Sequence, residues 1–319
     1  MTNWIETAEK WLAQDPDEET RAELAKIIDA AKSGNDAALE DLKNRFETRL
    51  EFGTAGLRGE LGAGTNRMNR VLVAQAAAGI ARWLKTQVTS HEVPSVVIGY
   101  DGRKNSKQFA TDSAEIFAGY GFHAILLNHK YPTPVLAHAI NYFDTHAGIM
   151  VTASHNPAND NGYKVYLGKE GMGGQIVPPI DAEIAAEIIT VADSVTFSEH
   201  PLGAYEIAED DVVEDYITRT AEIAKTPGEI KFVYTAMHGV GWDVFRRTIA
   251  KAGFPEPIPV PQQRDPDPFF PTAPFPNPEE KGALDLSFAL AKEVDADLII
   301  ANDPDADRLS VAIPSTSGW

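Results

Sequence analysis

Apolar and polar positions along the chain follow two periods. Trp4, Ile5, Ala8, Trp11 and Leu12 recur at helical spacing, and so do Leu39, Leu42, Phe46 and Leu50, which predicts packed helices at the N-terminus. From residue 68 the two patterns take turns: a helix to about Lys85, a strand in SVVIGY, a helix over 106–119, a strand in HAILLN, a helix in PVLAHAINYF and a strand in AGIMV. A weakly patterned stretch at 190–208 follows. A second round then runs through a helix in DVVEDYITRTAEIA, a strand in IKFVYTAM, a helix in GWDVFRRTIAKAG, a strand in PIPV, a Pro-rich loop at 261–278, a helix in GALDLSFALAKEV and a strand in DLIIA.

Alternation of this kind predicts parallel strands joined by crossover helices. The expected fold class is α/β: two consecutive three-layer α/β/α domains with mainly parallel mixed sheets, 1–204 and 205–319, with an N-terminal helical extension on the first. Both rounds end alike, on an apolar strand, a polar loop (TASHNP, then NDPDADR) and a returning strand (GYKVYL, then RLSVAI). Open parallel sheets bind ligands at the carboxyl ends of their strands, so each loop lies where a site is expected. After RLSVAIP comes a turn-like STSG and then Trp319, and an end on the first residue of a strand suggests a piece of a longer protein.

A chain of 319 residues, 43% hydrophobic and 24% charged, has the length for two cores. It holds no uninterrupted apolar run of membrane-spanning length, and its first thirty residues lack a signal-peptide core, so no membrane association is expected. With no cysteine, disulfides and thiolate metal sites are excluded, in keeping with a cytoplasmic enzyme. The net charge of −19 argues against nucleic acid as a partner and requires that any anionic substrate meet locally placed cations.

DPDADR sets Asp303, Asp305 and Asp307 at alternate positions, which in a tight extended loop brings three carboxylates to one side. Unpaired, they repel; a hard divalent cation with oxygen ligands, Mg²⁺ in particular, removes the conflict and keeps room for water or a phosphate oxygen. A calcium EF-hand fails because Arg308 and Pro314 stand where its glycine and glutamate belong. A phosphatase that forms an aspartyl phosphate on Asp303 fits two carboxylates but finds Ala306 after the second. A solvated acidic turn is the plain alternative. Arg308 either neutralises the loop or holds a phosphate beside the metal.

In TASHNP, Ser154 beside His155 suggests a serine hydrolase. Neighbouring side chains on an extended segment point apart, however, and no G-x-S-x-G elbow is present. By itself the loop is equally a turn in which Ser154 and Asn156 satisfy backbone groups. Lys164, on the returning strand, could lie beside Ser154 or simply at the surface. FGTAGLRGELGAGTNRMN is neither a P-loop nor a dinucleotide fingerprint; it reads as an amide-rich loop carrying Arg58 and Arg67. GYDGRKNS adds Arg103 and Lys104 as anion ligands. His123 and His138 read as packed residues.

TASHNP with NGYK, DPDADR and FGTAGLRG, followed in order by GYDGRKNS, YTAMHGVG and PFPNPEE, resemble the α-D-phosphohexomutase family, in its phosphoglucomutase branch, over nearly the whole chain. The resemblance implies that Ser154 is a phosphoserine that gives its phosphoryl group to a sugar phosphate and regains one from the bisphosphate. It implies Mg²⁺ on Asp303, Asp305 and Asp307 against the Ser154 phosphate, and Lys164 as general base or acid, a role that needs a lowered pKa. Arg58 would contact the transferring group, Arg308 would close the metal loop, His155 would neighbour the phosphoserine, and Asn156, Arg103 and Lys104 would bind substrate or phosphate. The expected reaction interconverts glucose 1-phosphate and glucose 6-phosphate, with phosphomannomutase and phosphopentomutase open. The other readings are the phosphatase and a non-catalytic sugar-phosphate-binding fragment. Hexose phosphates and bisphosphates are the expected partners, and a monomer or weak homodimer the expected state. The family's third and fourth domains, which choose and clamp the sugar, find no counterpart here, so little turnover is expected.

Overall fold

A computed structural model describes residues 3–89, 91–316 and 318–319. Three helices open the chain: α1 (Trp4–Gln14), α2 (Glu18–Lys32) and α3 (Asp36–Phe46). Asn3, Asp17 and Asn35 cap them by accepting from first-turn N–H groups. Their apolar faces close on Trp11, Leu24, Leu42 and Phe46. Of the residues the helical spacing picks out, none lies in α2, Leu39 is exposed, and Leu50 lies beyond the end of α3, packed against the core of the α/β unit.

The first α/β unit comprises β1 (Leu57–Glu60), α4 (Arg70–Gln87), β2 (Ser95–Tyr100), α5 (Ser106–Gly119), β3 (His123–Leu126), α6 (Thr133–Tyr142), β4 (Ala147–Val151), β5 (Asp160–Leu167), β6 (Gly174–Gln175), α7 (Ile180–Ser194) and β7 (Glu206–Ile207). Its sheet runs β1-β5-β4-β2-β3-β7, with β6 on β5. β2 lies parallel to β3 and β4, while β5 returns antiparallel to β4 and β1 lies antiparallel to β5. Successive strand residues face opposite layers: Val96, Ile98 and Val151 pack under α4, α5 and α7, whereas Val97 and Met150 pack under α6.

The second unit comprises α8 (Asp211–Ala221), β8 (Phe232–Thr235), α9 (Gly241–Lys251), β9 (Ile258–Pro259), α10 (Asp285–Val294), β10 (Leu298–Asn302) and β11 (Leu309–Ala312). Its sheet order is β11-β10-β8-β9, parallel except for the returning β11. Val233 and Ile299 face the layer of α10, and Tyr234 stacks on Phe245 of α9 with ring centroids 4.1 Å apart.

Two α/β units with mixed, mostly parallel sheets and an N-terminal helical extension are the architecture the pattern predicts. Some details differ. β7 lies beyond the expected division at 204/205 yet pairs with β3, and Val212, Val213 and Ile217 of α8 share a core with α6. α7 was not predicted, although Ile184, Ile188 and Val191 are its buried stripe. β1 occupies part of the glycine-rich stretch read as a loop: Gly56, at φ +76°, approaches Tyr163 so closely that a Cβ would lie 2.0 Å from that residue's carbonyl oxygen. The turn expected over 315–318 includes Ser317, which lies outside the described residues.

Candidate phosphoryl-transfer site

β4 ends in TASHNP, and Ser154 takes a left-handed backbone, φ +54°, with 1% of its surface exposed. Non-glycine residues avoid that region, so neighbours must hold it there. The Ser154 N–H donates to Thr152 Oγ1 at 2.9 Å. Underneath, the buried Arg103 donates to the carbonyls of Ser154 (2.7 Å), Asn156 (2.6 Å), Pro157 (2.8 Å) and Asp160 (3.0 Å), with the Phe270 ring 4.8 Å from its guanidinium. Both expectations for these residues as anion ligands are corrected here. Arg103 spends both terminal nitrogens on loop carbonyls, and the Asn156 amide donates to Asp160 Oδ2 at 2.9 Å, closing the turn.

β10 ends in the carboxylate loop, where Asp303 and Asp305 are fully buried. Here too a left-handed residue makes the bend: Ala306, φ +54°, donates its N–H to the Asp303 carbonyl. The carboxylates therefore converge through a turn, where extended alternation had been expected. One oxygen from each of Asp303, Asp305 and Asp307 lies within 4.8 Å of the others. The loop after β8 buttresses them. Met237 and His238 are both left-handed, Val240 N–H donates to the Pro304 carbonyl at 2.8 Å, and a Cβ on Gly239 would lie 2.2 Å from Pro304 Cα.

The two loops meet. Ser154 Oγ donates to Asp303 Oδ2 at 2.7 Å across 149 positions of sequence. Lys164, 2% exposed, donates to Asp305 Oδ2 at 2.7 Å and Asp307 Oδ2 at 2.6 Å. Burial presses its pKa down, but Asp305, Tyr166 and Asp307 outweigh burial and raise it above the ordinary lysine value. A base would need a lowered pKa; Asp305 and Asp307 instead favour the ammonium form of Lys164. Asp303 is pushed up by burial and then by the charges of Asp305 and Asp307. Burial presses upward on Asp305 as well, yet Lys164 and the hydrogen bonds to it hold that carboxyl below its usual range.

The left-handed turn also overturns the geometric objection to His155, whose Nδ1 lies 3.2 Å from Ser154 Oγ. Its ring meets Phe275 edge-on at 5.8 Å. Burial lowers its pKa first, and Arg308 and Arg58 lower it further, so the neutral ring is favoured beside Ser154. Arg58 sits on β1 opposite Gly162, and its buried Nε has no hydrogen-bond partner among the described residues. The backbone N–H of Arg308 donates to Asp303 Oδ1 at 3.0 Å while its side chain is 42% exposed at the mouth of the loop. Lys104 is not at the site: it pairs with Glu19 of α2, 2.5 Å away. Arg67 is likewise tied to Asn44. His123, read as packed, is exposed and meets Glu206, and His138 meets Asp215.

The donor set suits a hard cation. All three candidate ligands are carboxylates, and Asp305 Oδ1 is buried with no hydrogen-bond partner among the described residues. Sequence reasoning missed Thr133 and Gly239. Thr133 donates to Asp305 through both its backbone N–H and its hydroxyl.

Residues 49–194 match the family model for phosphoglucomutase/phosphomannomutase, alpha/beta/alpha domain I, and residues 214–316 match that for domain II. A probable phosphomannomutase of Haemophilus influenzae is 60% identical over 79% of this chain and 51% of its own length. A phosphoribomutase of Saccharomyces cerevisiae is 38% identical over 95% of this chain and 51% of its own, and a phosphopentomutase of Mus musculus is 38% identical over 98% and 52%. The chain thus spans about half the length of the curated relatives it matches. A solved phosphoglucomutase/phosphomannomutase family protein from Burkholderia thailandensis shares the fold at TM-score 0.69 and 23% identity, covering 85% of this chain and 56% of that one.

Proposed function

Because the chain belongs to the phosphoglucomutase/phosphomannomutase family over that family's first and second α/β/α domains, we propose that it carries the phosphoryl-transfer centre of a phosphosugar mutase. The observation that carries this is the contact of Ser154 Oγ with Asp303, which joins the serine loop of one unit to the carboxylate loop of the other.

In this reading Ser154 holds a phosphoryl group, passes it to a hydroxyl of a sugar phosphate and regains one from the bisphosphate. Asp303, Asp305 and Asp307 would hold Mg²⁺, which supplies Lewis-acid stabilisation of charge on the transferring group. When the sugar hydroxyl attacks, its proton ends on the departing Ser154 oxygen. In the return step Lys164, an ammonium held by Asp305 and Asp307, can give a proton to the departing sugar oxygen and be reloaded by the one Ser154 releases. Arg58 and Arg308 place positive charge at a centre whose protein is otherwise strongly acidic, as an anionic substrate requires. His155, favoured neutral, accepts or donates one hydrogen bond at Ser154 Oγ. Arg103 and Asn156 act one step back, by fixing the loop.

Glucose 1-phosphate and glucose 6-phosphate are the first substrates to test, in a cytoplasmic setting. A phosphopentose is the second reading, favoured by the names of the relatives that align over 95% and 98% of this chain.

The chain incubated with glucose 1,6-bisphosphate and Mg²⁺ should gain one phosphate by intact mass, stable to hydroxylamine and absent in Ser154→Ala. A hydroxylamine-labile phosphate retained in Ser154→Ala would place it on a carboxylate and support the phosphatase. No phosphate on the parent chain would leave the binding-only reading.

A further inference from the structure

Thr133 is the first residue of α6, between Pro132 and Pro134, and 3% of its surface is exposed. The Thr133 N–H lies in the first turn of α6, where donors lack helical partners. That N–H donates to the Asp305 carbonyl at 2.8 Å, and the Thr133 hydroxyl donates to Asp305 Oδ2 at 2.5 Å. One residue thus grips both the backbone and the side chain of an aspartate 172 positions away in the other α/β unit.

The consequence lies in how the two carboxylate oxygens are divided. Oδ2 accepts from Thr133 and also from Lys164 Nζ at 2.7 Å, which fills its two lone-pair directions. Oδ1 is buried and without a hydrogen-bond partner among the described residues. Lys164 alone would leave the carboxylate free to turn about its χ2 and exchange its oxygens, because an ammonium is a point charge with three rotatable donors. Thr133 is β-branched, with few χ1 rotamers open to it, and its backbone N–H holds the residue against the same aspartate that its hydroxyl meets. The N-terminal end of α6 adds a favourable field for the anion.

We propose that Thr133 is a positioning residue that fixes which oxygen of Asp305 is offered to the cation and so sets the site's preference for Mg²⁺ over larger divalent ions. This rests on the reading above, in which the three aspartates hold the metal. Mg²⁺ demands near-octahedral geometry and short bonds, whereas Ca²⁺ accepts a loose shell. Loss of the hydroxyl should therefore penalise Mg²⁺ more than Ca²⁺, and Thr133→Ser, which restores the hydroxyl alone, should remove that split.

The test is calorimetric binding of Mg²⁺ and Ca²⁺ to the chain and to Thr133→Val, Thr133→Ala and Thr133→Ser, with Asp303→Asn as reference. The two variants without a hydroxyl should lose Mg²⁺ affinity by about tenfold or more, the scale for removing an outer partner of a metal ligand. Their Ca²⁺ affinity should change by no more than about threefold, and Thr133→Ser should hold Mg²⁺ near the parent value. Ala, being smaller, serves if Val does not fold. Mg²⁺ affinity within about twofold of the parent in Val or Ala, or equal losses for both ions, overturns the inference. A parent chain that binds neither ion, or binds them equally well as Asp303→Asn, instead overturns the metal reading beneath it.

Discussion

Replacement of Arg103 by methionine keeps the aliphatic stem and removes the guanidinium that holds the serine loop. Four charge-assisted hydrogen bonds at about 1.5–3 kcal/mol each would sum to about 6–12 kcal/mol. The sum overcounts, since the carbonyls of Asn156, Pro157 and Asp160 are only partly buried and take up water instead. Water cannot repair Asp101. Its side chain is 1% exposed and 3.5 Å from Arg103 Nε, and while burial pushes its pKa up, Arg103 is the leading influence against that. Removing one partner of such a pair costs about 3–5 kcal/mol, the loss expected for Arg103→Met in urea unfolding. Arg103→Lys should recover less than half, because one ammonium cannot reach four carbonyls spread over the loop. The double variant Arg103→Met/Asp101→Asn should be more stable than the sum of the singles by at least about 1 kcal/mol. A loss below about 1 kcal/mol for Arg103→Met would refute the clamp.

His200 is 6% exposed, neither ring nitrogen has a hydrogen-bond partner among the described residues, and burial lowers its pKa. The unfolded chain takes up this proton near pH 6.5 while the native state resists it. Stability should fall as pH drops from about 6.5 to the lowered native value, and His200→Phe should flatten that slope in denaturation midpoints taken across the window. Gly239→Ala, which drives a methyl into Pro304, should cost about 1–3 kcal/mol and weaken Mn²⁺ binding measured by paramagnetic resonance. Gly228→Ala, with nothing within 4 Å of the added carbon, is the control and should bind Mn²⁺ as the parent does.

Both loops were legible because each follows an apolar run of strand length, Ala147–Val151, buried throughout, and Leu298–Asn302, buried at alternate positions. Their conformations were not. The sign of φ at Ser154 and Ala306 is set by what surrounds them, and it decides whether His155 reaches the hydroxyl and how the carboxylates converge. Arg103 misled for a different reason: its partners are carbonyl groups, which every residue possesses, so nothing in the sequence distinguishes an arginine that ties a loop from one that waits for phosphate. Lys164 lies against Asp305 and Asp307, and its proton affinity depends on those carboxylates, roughly 140 positions away, which no local pattern around it announces. β1, short and flanked by glycines, has too few alternating positions to announce a strand.

The burial of Ser154 bears on who can modify it. A protein kinase must draw its target serine into an extended peptide held in the kinase's own cleft. Here the residue lies at a seam, its carbonyl tied to a guanidinium and its hydroxyl turned inward onto Asp303. Undoing those bonds would amount to local unfolding of the first unit. If this serine carries phosphate, the group must arrive on a donor small enough to enter the folded protein. Its occupancy would then register how recently the chain met a phosphorylated metabolite, with no signalling enzyme in between.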